Sequence, residues 1–76
     1  MMKRKRYEVI QDGILYPHNS FEKSREGLTE AYERASEILT SGDKLRSLDI
    51  QCTTYDSIGR ILECEMVDDI LYIAKR

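Results

Sequence analysis

The sequence predicts an α+β domain: a single antiparallel sheet of four to five strands packed on one helix, in the order β-β-α-β-β-β. Three observations carry this. Residues 24–42 repeat apolar side chains at helical spacing, Asp12-Gly13 joins two short apolar runs, and Asp56-Ser57-Ile58-Gly59 joins two alternating runs. One amphipathic helix needs a partner surface for its apolar face, and the rest of the chain offers only strands to make it.

The first hairpin lies in residues 7–17, YEVIQDGILYP. A two-residue type I′ turn needs positive φ at both central positions, which Asp-Gly supplies, so Gln11 faces Ile14, Ile10 faces Leu15 and Val9 faces Tyr16. Tyr7, Val9, Ile14 and Tyr16 then share the face expected against the helix, with Ile10 and Leu15 behind. Pro17, lacking an N–H, ends the second strand or marks it as an edge. His18 to Lys23 reads as a polar connection, with Phe21 folding back over the helix start.

In the helix, Leu28, Ala31, Tyr32, Ala35, Ile38 and Leu39 fall on one face. Ser24 or Ser20 can supply the N-cap oxygen, and Gly42 stands where a left-handed C-terminal cap is wanted. After a short loop over residues 43–47, LDIQCTTY and RILECEMV flank the second turn. A three-residue loop with a following bulge sets Asp56 against Arg60. Extended inward, that register opposes Ile50 to Met66, Cys52 to Cys64 and Thr54 to Leu62 on the core face, and sends Glu63 and Glu65 to the outer face. The closing ILYIA is β-branched and aromatic, which favours a fifth strand, with an Asp-capped helical turn as the alternative.

Seventy-six residues make one domain, with 41 % apolar and 34 % charged side chains, so the core is thin and the surface heavily solvated. No apolar run approaches a membrane span, and the basic N-terminus has no apolar region behind it, so a cytoplasmic location is expected. Charge is unevenly placed. Residues 3–6 are Lys-Arg-Lys-Arg and the chain closes on Lys75-Arg76, while residues 7–74 carry six cations against fourteen carboxylates, a balance of −8. Residues 1–6 are thus expected as a basic flexible tail on a single acidic domain over 7–76.

Chemistry-bearing constellations are scarce. Cys52 and Cys64 read as neighbouring, reduced, buried side chains. The lone His18 lies on a different hairpin from either thiol, no CxxC or HxxxH spacing exists, and the glycines at 13, 27, 42 and 59 form no phosphate loop. No enzyme activity, metal or cofactor is expected. Glu26, Glu30, Glu33 and Glu37 are spaced 4-3-4, which lines them up opposite the apolar stripe, with Glu30 to Arg34 as partial relief of their repulsion. With Glu63 and Glu65 they form the candidate surface for a basic protein partner. The expected function is a small non-enzymatic interaction module, regulatory or inhibitory, of a size that bacteriophages and mobile elements often encode. The alternative is a nucleic-acid-binding accessory protein that contacts phosphates through Lys3, Arg4, Lys5, Arg6 and the basic C-terminal end. Free sheet edges and spare apolar side chains also favour a homodimer.

Overall fold

Alternating apolar residues and glycine-bearing turns give this chain its two hairpins, and the helix between them closes one face of the sheet they form. The computed structural model describes residues 3–42 and 44–74. Strand β1 spans Arg4–Gln11, β2 Ile14–Glu22, helix α1 Arg25–Thr40, β3 Leu48–Tyr55, β4 Ile61–Asp69, and a last helical turn, α2, Ile70–Ala74. All pairings are antiparallel and the sheet order is β2-β1-β3-β4. The central β1–β3 pairing joins the two hairpins edge to edge. No helix among the described residues is long and apolar enough to cross a membrane.

The first turn forms as its sequence dictates, with φ of 50° at Asp12 and 78° at Gly13, and it sets Gln11 against Ile14 and Ile10 against Leu15. Asp12 also reaches across the molecule. Its Oδ1 accepts from the N–H groups of Arg46 (2.6 Å) and Ser47 (3.0 Å), and its own N–H donates to the Ser47 carbonyl. The backbone amides of Ser47 and Arg46 hold its carboxyl below the usual carboxylate range.

Past Leu15 the expected ladder fails. Glu8 pairs with Ser20, so residues 16–19 bulge out opposite Val9. Pro17 sits within this bulge on the edge strand, where its missing N–H deprives no neighbour, and β2 runs on to Glu22 instead of ending. His18 to Glu22 are therefore strand and not a connection. Ile14 and Tyr16, expected against the helix, are exposed, whereas Phe21 lies opposite Tyr7 and both pack on the core.

Helix α1 starts at Ser24, whose Oγ accepts from the N–H of Gly27 at 3.0 Å, and it ends at Ser41 before Gly42, which has φ of 89°. Ala31, Ala35 and Ile38 press on Val9, Leu48 and Ile50. Taking Val9, Leu48 or Ile50 out of water contributes about 1.5–3 kcal/mol each. The helix packs chiefly on β2, β1 and β3, and it meets β4 through Tyr32 at Asp68. The segment ILYIA is the helical turn, not a fifth strand: Asp69 Oδ1 caps the N–H of Tyr72 at 3.1 Å, and Ile70 turns into the core.

The second turn also forms as expected. Asp56 N–H donates to the Arg60 carbonyl, Asp56 Oδ1 accepts from the Arg60 N–H at 2.9 Å, and Gly59 has φ of 90°. The register beyond it is corrected, however. Tyr55 faces Ile61 but Thr54 faces Glu63, so Leu62 is an extra residue and the side chains from Glu63 to Met66 change face, until a second extra residue, Val67, restores the parity at Asp68. Cys52 is opposite Glu65 and Cys64 opposite Thr53. Cys52 is buried on the α1 side, while Cys64 is exposed on the reverse side. A thiol-reactive probe is accordingly expected to label Cys64 rapidly and Cys52 only on unfolding, so Cys64→Ser should abolish the fast phase. Two fast phases, or none, would contradict the bulged register.

Candidate functional site

Helix α1 carries its working candidates on the side turned from the sheet. Glu26, Glu30, Glu33 and Glu37 are all exposed, as their spacing requires once Ala31, Ala35 and Ile38 face inward. Glu30, Glu33 and Glu37 flank a shallow groove that also touches His18 and Phe21, and Glu26 and Glu30 flank a second one beside Glu22. The expected relief of Glu30 by Arg34 is replaced by another pairing. Arg34 Nε donates to Asn19 Oδ1 at 2.8 Å, and from that anchor its Nη1 reaches Glu37 at 3.3 Å. Asn19 is fully buried and donates through Nδ2 to Gln11 Oε1 at 3.0 Å, which secures the ridge to the sheet. Among the described residues no cation pairs with Glu26, Glu30 or Glu33.

Glu63 and Glu65 do not join that ridge. They are exposed on β4, at the opposite edge of the sheet from β2, and the bulge at Leu62 turns them to the α1 side instead of the outer face. Two neighbouring acids are committed elsewhere: Asp68 Oδ2 accepts from the Tyr32 hydroxyl at 2.7 Å, and Asp69 caps α2. The hydrogen bond to Asp68, with burial behind it, pushes the Tyr32 phenol up to about 12. On the reverse side, burial and then the facing Asp69 raise the Asp49 carboxyl.

The basic stretch is not a free tail. Arg4, Lys5 and Arg6 belong to β1 and pair with Tyr55, Thr54 and Thr53, so their side chains alternate between faces and make no single cationic stripe. Arg6 donates to Ser20 through Nε (Oγ, 2.6 Å) and Nη2 (carbonyl, 3.0 Å). Lys3 precedes the strand, and Lys75 and Arg76 lie outside the described residues.

Arg4, Arg6, Glu8, Leu15 and Tyr55 line a groove of about 340 Å³ on the reverse side of the sheet. Sequence reasoning missed its centre, Glu8, which is only 4 % exposed. Glu8 Oε1 accepts from the Thr53 hydroxyl at 2.6 Å, and Oε2 accepts from the Tyr55 hydroxyl. Burial first, then the bond to Glu8, pushes the Tyr55 phenol up to about 12. Thr53 Oγ1 also lies 3.5 Å from Cys64 Sγ. These residues meet only through the β1–β3 pairing, which no local turn specifies, so the sequence held no signal for them. Both carboxylate oxygens are occupied by hydroxyls, an arrangement that positions the strands against each other. His18 is on β2, its ring 6.1 Å from that of Tyr16, at the other edge of the sheet from Cys64.

Scans against protein-family models, curated proteins and solved structures find no match to this chain.

Proposed function

We propose that this protein is a non-enzymatic interaction module that binds a basic protein surface through the outer ridge of α1. The observation that supports this reading is the ridge itself: four carboxylates exposed along one helix, three of them with no cationic partner among the described residues. Their mutual repulsion costs the free helix a few tenths of a kcal/mol per pair, a cost that a cationic partner would relieve. Long-range attraction of this kind acts mainly on the rate and specificity of association. A cytoplasmic regulatory or inhibitory role, in a protein of the size that mobile genetic elements often encode, belongs to the same reading.

Reversing Glu30, Glu33 and Glu37 to Lys is expected to abolish capture of the partner from lysate while leaving unfolding within about 1.5 kcal/mol of the parent, since exposed substitutions stay near 0.5 kcal/mol each. Capture that survives the reversal sinks the proposal. So does capture that nuclease treatment removes, because that result would favour nucleic-acid binding through Arg4, Lys5 and Arg6. Deleting residues 1–6 is no test of the latter, since it would cut into β1.

A further inference from the structure

The two edges of the sheet are unlike. Edge strand β2 carries Pro17 and the bulge over residues 16–19, devices that prevent a further strand from adding. Edge strand β4 has neither proline nor glycine, and its stretch from residue 63 to 66 is regular between the shifts at Leu62 and Val67. From Ile61 to Val67 it is open to solvent, with Ile61 63 % and Met66 58 % exposed, and the Tyr32 hydroxyl of α1 meets it beyond that stretch, at Asp68. An edge of this kind is a template for another strand.

Its side chains state what that strand must carry. Glu63 and Glu65, opposite Thr54 and Cys52, project on the α1 side; Cys64 and Met66, opposite Thr53 and Gln51, project on the reverse side. A strand laid against β4 therefore meets carboxylates on one face and apolar side chains on the other. A second copy of this chain fits poorly. A two-fold axis at Cys64 sets Glu63 against Glu65 of the other copy, and an axis at Glu65 sets the two Glu65 side chains against each other. Like charges directly across a ladder are destabilising.

The geometry points to β4 as the docking edge for an extended segment of a partner protein that alternates Lys or Arg with apolar residues and adds antiparallel as a fifth strand. The cations face Glu63 and Glu65, and the apolar side chains cover Cys64 and Met66. This goes beyond the α1 ridge and does not depend on it.

The complementary strand can be made from the chain itself. In the double variant Glu63→Lys, Glu65→Lys, β4 carries cations on one face and the same apolar residues on the other. Under reducing conditions, mixing it with the unaltered chain is expected to move the sedimenting mass from 8.9 kDa to twice that value, while each chain alone stays at 8.9 kDa. Isotope-labelled unaltered chain should show amide shifts along β4, with its outward amides gaining exchange protection. Replacing the unaltered chain by the Glu30→Lys, Glu33→Lys, Glu37→Lys variant should leave the mixed dimer intact, which separates this result from the fate of the α1 ridge. A mixture that stays at 8.9 kDa overturns the proposal. Shifts confined to α1 do so as well, and a dimer of the unmixed chain through β4 would make a second copy the occupant.

Discussion

Gly27→Ala is expected to destabilise the protein by about 3–4 kcal/mol, at the upper end of what overpacking costs. A Cβ built at Gly27 would lie 1.8 Å from the Glu22 carbonyl oxygen and 2.8 Å from the Glu22 carbonyl carbon. Those are backbone atoms of the strand that feeds α1, so no side-chain rotation relieves the clash. The helix start must move, and with it the bond from the Gly27 N–H to Ser24 Oγ. Helix propensity alone argues the opposite sign, because Ala in a helix is favoured over Gly by about 1 kcal/mol. Denaturant unfolding followed by circular dichroism decides between them. In a domain this small each 1 kcal/mol moves Tm by roughly 4–8 °C, so the expected drop exceeds about 12 °C. Stability equal to or above that of the parent would show that the close approach of α1 to Glu22 is wrong. Gly13→Ala is the control: its Cβ meets nothing within 4 Å, and only the φ of 78° resists it.

Gly27 also marks the boundary of what the sequence made legible. Asp12-Gly13 and Asp56 to Gly59 specify their turns through local backbone chemistry, and both turns form with the expected facing residues. The stripe of Ala31, Ala35 and Ile38 fixes which side of α1 is inside, and hence that Glu26, Glu30, Glu33 and Glu37 are outside. What failed were the bulges. Nothing local distinguishes Leu62 from its neighbours, yet one extra residue there exchanges the faces of Cys64 and Glu65. The bulge over residues 16–19 likewise moved Tyr16 outward and buried Asn19. The role of Gly27 depends on how near β2 comes to α1, a tertiary fact. The β-branched and aromatic side chains after Asp69 favour a strand, and the cap from Asp69 to the Tyr72 N–H makes the segment a helical turn instead. The reading of Arg4, Lys5 and Arg6 as a tail failed because β1 gains partners on both sides, which extends it beyond its hairpin.

Glu8→Ala is expected to cost about 2–4 kcal/mol and to change the alkaline limb of stability. Removing this carboxylate leaves the Thr53 hydroxyl, on a residue 1 % exposed, with only the weakly accepting Cys64 sulfur at 3.5 Å, and a buried polar group that loses its partner costs about 1–3 kcal/mol. The half-buried Tyr55 hydroxyl loses its acceptor too, with less penalty because water can reach it. Glu8→Gln should cost less, about 1 kcal/mol, since Oε1 can still accept from Thr53 and the Tyr55 hydroxyl can turn to accept from the new amide. The pH dependence follows from Tyr55, whose phenol stands at about 12 in the fold against an ordinary 10.0. A raised phenol pKa means that the fold favours the neutral form. Its contribution is therefore whole below pH 10 and is lost as pH rises towards 12. In Glu8→Ala the phenol should fall part of the way back, because burial, the larger cause, remains. An absorbance titration of the variant, differenced against Tyr55→Phe, reads this directly. Tyr32, raised to about 12 by Asp68, supplies an unchanged share of the alkaline loss in both proteins. If Glu8→Ala unfolds within 1 kcal/mol of the parent and the Tyr55 titration does not move, then Glu8 does not join β1 to β3 in the manner described.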